Sequence, residues 1–190
     1  RGKKLPFPKW IRAFEPGILT EIYHQASTGK LLERQININP IWFNFQDGGY
    51  FGYLVNPTFQ RLTESFVPVG ILISEGAYHY VRHQFYYSSD QSKIISLSAN
   101  LELGTYYNGK LNSGSITVRV SPTPHFSLSG TLNRNRFINV GDNKETATAD
   151  LWSINGRFAV NPRLQLIGFY QKNSASDLGN YNIRLSWEYQ

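Results

Sequence analysis

The chain has 190 residues with a formal net charge of +6, is 41% hydrophobic and 15% aromatic, and contains no Cys. That length suits one sizeable domain, and the missing Cys excludes disulfide scaffolds, thiolate metal sites and cysteine nucleophiles. A mean hydropathy of −0.37 fits a soluble protein or a transmembrane β-barrel, in which every second residue meets lipid, whereas the lack of an apolar run near the roughly 18 residues of a spanning helix excludes a helical membrane protein.

A basic balance can favour nucleic acid, acidic lipid or lipopolysaccharide. The charges are spread singly, with one cluster at Lys3-Lys4, and no basic block supports a nucleic-acid partner. The start, Arg1-Gly2-Lys3-Lys4, lacks the apolar core of a signal peptide. An outer-membrane protein needs one, so the chain is expected to be a mature protein or a piece of a longer precursor.

In chain order, 19–27 and 31–38 flank Thr28-Gly29-Lys30 and predict a hairpin. The aromatic-rich stretch 41–55 carries Asp47-Gly48-Gly49 in its middle, a turn or a bulge. Strands are predicted over 59–67 and 77–88, separated by 70–76. Beyond them the pattern has period two. Ile95, Leu97, Ala99, Leu101 and Leu103 alternate with Ser96, Ser98, Asn100 and Glu102. Ile116, Val118 and Val120 alternate with Ser115, Thr117 and Arg119; Phe126, Leu128 and Leu132 with Ser127, Ser129 and Thr131. Trp152, Ile154, Phe158 and Val160 alternate with Ser153, Asn155 and Arg157. The run 164–172 is less clean, with Ile167 and Phe169 on its polar side. In the last segment Tyr181, Ile183, Leu185, Trp187 and Tyr189 alternate with Asn182, Arg184, Ser186 and Glu188. In a strand each set occupies one face.

Tight turns are expected at Pro122-Thr123-Pro124 and Asn161-Pro162-Arg163, and longer polar connections at 108–114, 138–145 and 173–180. Short turns alternating with long loops are the asymmetry of outer-membrane barrels, which places Pro122 and Pro162 on the periplasmic side. The expected total is about 10 to 12 strands, each near the roughly 9–11 residues that a tilted spanning strand needs.

The fold class expected is therefore all-β: an antiparallel transmembrane β-barrel, or the C-terminal part of a larger one, over 1–190. Leu97, Leu101, Ile116, Val118, Leu128, Trp152, Ile154, Leu185 and Trp187 would face lipid. Glu102, Arg119, Arg157, Arg184 and Glu188 would face the lumen. Alternation also fits a soluble sandwich or barrel. The strong polarity of one face favours the membrane, as does the gathering of Phe85, Tyr86, Tyr87, Tyr106, Tyr107, Tyr181 and Tyr189 near strand ends, the height of a membrane interface.

From about Phe59 onward, LTESFVPVGILISEG with Ala77-Tyr78, GTYYNG at 104–109, Val120-Ser121-Pro122, FYQKNS at 169–174 and NIRLSWEY at 182–189 resemble a poorly characterised bacterial outer-membrane family. Its members pair an N-terminal module similar to family-nine carbohydrate-binding modules with a C-terminal β-rich region taken to be a barrel. The likeness covers roughly two-thirds of the chain and is specific only in combination. The N-terminal module is absent here, and family members continue past Gln190. The resemblance implies a location, a fold and the C-terminal portion of a longer protein; it implies no activity.

Candidate chemistry is sparse. His79 and His83 would lie about 13 Å apart on a strand, too far to share a metal. His125-Phe126-Ser127 puts imidazole and hydroxyl on one face, the spacing of outer-membrane phospholipases, but on the polar face beside a tight turn. Glu102 and Glu188 share the inward face on well-separated strands, and their pairing with Arg119 or Arg184 across the lumen is expected in place of glycosidase chemistry. Arg134 and Arg136 continue the outward face towards a loop, where they would meet lipopolysaccharide phosphate. No cofactor or metal is expected.

The favoured function is a non-enzymatic outer-membrane barrel acting as channel, receptor or complex subunit. Its partners would be lipid, lipopolysaccharide and further strands of the same protein or of another chain. A wide lumen rich in Arg would favour anionic solutes. The alternatives are a soluble carbohydrate-binding domain using Tyr106, Tyr107 and Trp42, and an outer-membrane esterase or phospholipase.

Overall fold

The computed structural model describes residues 7–161, 163–174 and 178–188. Lys3-Lys4, Pro162 and Tyr189 lie outside them. Eleven antiparallel strands form one sheet: β1 (Ile11–Phe14), β2 (Gly17–His24), β3 (Leu31–Phe45), β4 (Tyr50–Leu62), β5 (Gly76–Ser88), β6 (Ile95–Tyr106), β7 (Gly109–Thr123), β8 (Phe126–Val140), β9 (Glu145–Asn161), β10 (Leu164–Asn173) and β11 (Asn180–Trp187). From β3 to β11 each strand pairs with the next, a meander. β1 and β2 lie end to end along the same edge of β3, on either side of Glu15 and Pro16. Pro has no N–H for a ladder, and the amide of Glu15 donates to Trp42 O at the break.

Among the described residues the sheet is not closed into a barrel: β11 pairs with β10, and the β1–β2 edge with β3. The open edges exclude closure into a barrel by the described residues themselves.

Antiparallel partners point to the same side of a sheet, so the registers define two faces. One row runs Leu97, Val118, Gly130, Ile154, Tyr170, Tyr181 across six strands. The neighbouring row on the other face runs Ser96, Arg119, Ser129, Asn155, Phe169, Asn182. Ile167 and Phe169 do sit on the polar side, opposite Arg184 and Asn182.

Apolar side chains are exposed on one face, and polar ones are covered on the other. Trp152, Ile154, Phe158 and Val160 are 53%, 51%, 51% and 55% exposed, whereas Arg82, Ser88 and Ser96 on the polar side are 4%, 4% and 2% exposed.

Two expected loops are largely strand. Residues 109–114 belong to β7, and the turn before it is 107–108, with Tyr107 at φ 48°. Residues 138–145 shrink to a turn at 141–144. Small polar residues imitated a loop here; Gly109 instead permits close strand approach, since a Cβ would fall 2.4 Å from Asn139 O. β7, β8 and β9 reach 15, 15 and 17 residues, longer than expected, and strict alternation of short and long connections fails.

The connection 63–75 is long, and it lies at the end opposite Pro122. It folds back through paired amides of Phe66 and Ile73 around a tight turn at Pro68–Gly70. Ile71 and Ile73 are buried with Phe137 and Val140, against Leu62, Tyr106 and Leu111. At this end the inner face of the sheet becomes apolar, and the loop crosses it to reach β8. The amide of Asp142 donates to Leu72 O, the Ser74 hydroxyl donates to Asp142, and Tyr78 donates to Ser74 O.

Ile73→Ala is expected to cost about 2–5 kcal/mol and to open 63–75 to limited proteolysis while β10 and β11 stay protected. Equal protection of parent and variant would contradict this packing.

At the other end, the amide of Gly49 donates to Asp47, which Lys93 also approaches at 3.4 Å, and the Ser92 hydroxyl and amide donate to Asp90. These bonds hold both carboxyls below the ordinary aspartate value: the Gly49 amide for Asp47, the Ser92 hydroxyl and then its amide for Asp90. A depressed carboxyl contributes stability above its unfolded pKa, about 3.9, and loses it as pH falls through the folded value. The protection factors of the Gly49 and Ser92 amides, relative to their intrinsic exchange rates, should therefore fall below about pH 4. Asp90→Asn should abolish the acid step at Ser92.

Candidate functional site

The polar face of β5 presents Tyr78, Tyr80, Arg82, Gln84 and Tyr86 in alternate positions, beside Asn56 and Thr58 on β4 and Glu102 on β6. The β5–β6 ladder opens next to Arg82. Gly104 takes φ 141°, and a Cβ there would lie 2.2 Å from Val81 O, so Gly is required. Beyond it the Val81 amide donates to Thr105 Oγ1 at 2.8 Å, a side chain replacing a ladder bond.

Arg82 occupies this opening. Its Nε donates to Glu102 Oε1 at 2.7 Å, and its Nη1 donates to Gly104 O and to Leu111 O on β7. One guanidinium thus ties β5, β6 and β7. The Arg82 side chain is 5% exposed and that of Glu102 28%, so the pair is largely desolvated and its geometry matters. Next to it lies a cavity of about 240 Å³, whose walls include Glu33, Asn56, Tyr80, Arg82, Glu102 and Tyr106. Arg82 Nη2 and Asn56 Oδ1 are buried without a hydrogen-bond partner among the described residues.

Aromatic side chains flank the cavity along the same face. Tyr80 and Tyr107 both donate to Gln60 Oε1, at 2.9 and 3.0 Å, and Tyr106 packs on Tyr107 with centroids 4.6 Å apart. On the other side Tyr86 donates to Gln84, and Trp42 stacks on Tyr50 at 5.2 Å. The sugar-platform candidates Trp42, Tyr106 and Tyr107 therefore belong to two clusters, one on each side of Arg82.

The expected lumen residues share the polar face but do not converge. Glu102 pairs with Arg82, correcting the expected pairing with Arg119 or Arg184: neighbouring strands bring Arg82 within reach, while the others are farther along the sheet. Arg119 donates to Gln91 O at 3.4 Å and Arg157 to Gln165 Oε1 at 3.0 Å. Arg184 shares a row with Arg157 across Ile167. Glu188 follows β11, and its amide donates to Arg163 O.

The nine expected lipid-facing residues, from Leu97 to Trp187, all fall on the opposite face. Arg134 and Arg136 lie on that face where its apolar band ends. Arg134 makes a two-pronged pair with Asp150, both bonds 2.8 Å, and Arg136 stands opposite Asn112 and Thr148. His83 bonds the Tyr53 hydroxyl at 2.9 Å, and His79 packs on Phe59. His125 Nδ1 lies 2.8 Å from Ala159 O, a backbone partner, and Ser127 stands opposite Arg157.

Sequence reading missed Arg82. Both faces of β5 are mixed, Tyr-Tyr-Arg-Gln-Tyr against Ala-His-Val-His-Phe-Tyr, so the alternation carried little contrast. The usable signal was parity: Arg82 falls in step with Gln84 on the side opposite Val81 and Phe85.

Compared with known proteins, the chain matches no family model, no curated protein and no solved structure.

Arg82→Met is expected to cost about 3–5 kcal/mol by leaving Glu102 uncompensated. The double variant Arg82→Met, Glu102→Leu should recover most of that loss. Equilibrium unfolding measures both; simply additive losses would contradict a coupled pair.

Proposed function

We propose that this chain is wall of a bacterial outer-membrane β-barrel, acting without catalysis as a channel, receptor or complex subunit. One observation carries the reading: the apolar face is the exposed one, and from β4 to β8 the face bearing Arg82, Glu102 and Arg119 is the more covered. A monomer in water rarely exposes a contiguous apolar patch beyond a few hundred Å²; here apolar side chains run across six strands. On β9 the apolar positions from Trp152 to Val160 span close to the roughly 9–11 residues of a tilted membrane strand. Beyond Trp152 the same face turns polar, with Asp150 and Thr148 beside Arg134 and Arg136, at the height where lipid head groups begin.

Among the described residues, ten strand positions leave both edges unpaired, since β1 and β2 share one position. Open strand edges are not tolerated in lipid, so closure calls for further strands from the same protein or from another chain. That arrangement supports a larger barrel. Arg119, Arg157 and Arg184 then face its water-filled side.

The test is depth-dependent substitution in bilayers. Ile154→Arg should destabilise by about 2–4 kcal/mol, whereas Asn155→Arg, one residue away on the polar face, should change stability by less than about 0.5 kcal/mol. Reversed costs, or a monodisperse protein in detergent-free buffer, would overturn the reading.

A further inference from the structure

Asn56 and Arg82 are 2% and 4% exposed, yet Asn56 Oδ1 and Arg82 Nη2 have no partner among the described residues. Both side chains line the same cavity of about 240 Å³ on the polar face. Buried polar atoms without partners are rare and costly. Two on one cavity mark a place where something else completes the bonding.

We propose that this cavity binds one ring of a neutral, polyhydroxylated solute, a saccharide. The proposal deepens the barrel reading, in which this face lines the interior. The lining residues carry an unused donor, Arg82 Nη2, and an unused acceptor, Asn56 Oδ1. A hydroxyl both donates and accepts, so adjacent hydroxyls on one ring satisfy the two atoms together.

Charge argues against an anion. The charge of Arg82 is matched by Glu102 at 2.7 Å, and Glu33 adds a second carboxylate to the wall. Apolar wall area comes from Tyr80 and Tyr106, whose centroids lie 6.0 Å apart. Tyr80 is held by its bond to Gln60. An ordered aromatic ring is a flat platform for the C–H face of a sugar at small entropic cost. The volume falls below the roughly 300–1,000 Å³ of drug-sized sites, room for a single ring.

The same face continues the platform in both directions. Trp42 lies flat over Gly52, where a Cβ would come within 2.3 Å of the indole, and stacks on Tyr50 with 14° between planes. Tyr107 lies on the other side, 5.5 Å from Tyr80. An oligosaccharide can therefore keep ring contact on either side of the cavity.

The test uses the full chain in a detergent without a sugar head group, titrated calorimetrically with D-glucose, maltotriose and citrate. Saturable binding of the saccharides is expected, tighter for maltotriose, with none for citrate. Asn56→Leu and Tyr80→Ala should each raise the dissociation constant about tenfold or more. Ser129→Ala, on the polar face of β8 away from the cavity, should leave it unchanged. Asn56→Leu removes an unpaired acceptor, so its melting temperature should equal or exceed that of the parent. No saccharide binding by a natively melting protein, binding indifferent to both substitutions, or preference for citrate would overturn the proposal. Liposome insertion is scored on the same preparation. Protein that inserts but ignores saccharide sinks this proposal alone. Protein that binds saccharide but stays out of bilayers sinks the barrel reading alone.

Discussion

The ladder from β3 to β11 constrains every side chain in the molecule. Antiparallel partners share a side, so the parity of one strand dictates that of its neighbours across the sheet. Register shifts fall near strand ends, at Val120–Thr123, Phe137–Val140 and Leu164–Gln165, with one inside β3 between Ile38 and Ile41. Mid-strand rows therefore stay in step from β6 to β11, and two unlike faces follow. Which face is covered is a separate matter: Trp152 and Ile183 are open while Ser88 and Ser96 are enclosed.

Where the ladder opens, side chains take over its work. At Gly104 the chain passes too close to Val81 O for any Cβ, and Thr105 and Arg82 supply the missing bonds. A charge held by two backbone carbonyls and a carboxylate cannot swing freely, so the neighbouring cavity keeps a defined wall. The same opening that interrupts the sheet thus organises the candidate site.

The connection 63–75 applies the opposite chemistry at one end. The inner face there carries Leu62, Leu111, Phe137 and Val140 in place of Ser and Asn, and Ile71 and Ile73 cover them. Gly141, at φ 80°, lets the loop approach: a Cβ would lie 2.5 Å from both Ile71 Cγ2 and Leu72 O. A small apolar core therefore closes over part of a polar surface and ties 63–75 to the β8–β9 turn, leaving the Arg82 cavity beside it.

Strand identity and face parity were legible in residues alone, because alternation is a local property of the backbone. Leu97 to Trp187 and Glu102 to Arg184 separate onto opposite faces as their spacing implied. Strand ends were less legible: Asn112, Ser113 and Gly114 have loop composition, yet ladder bonds to β6 and β8 hold them extended. Half of the site was legible, since Glu102 stood out on a clean polar face, while Arg82 was hidden in a strand with two mixed faces. Their pairing, the opening of the ladder at Gly104, the fold-back of 63–75 and the covering of the polar side depend on contacts between residues far apart in sequence. No periodicity encodes such contacts; they arise when strands already committed to a register are brought together and the space between them must be filled.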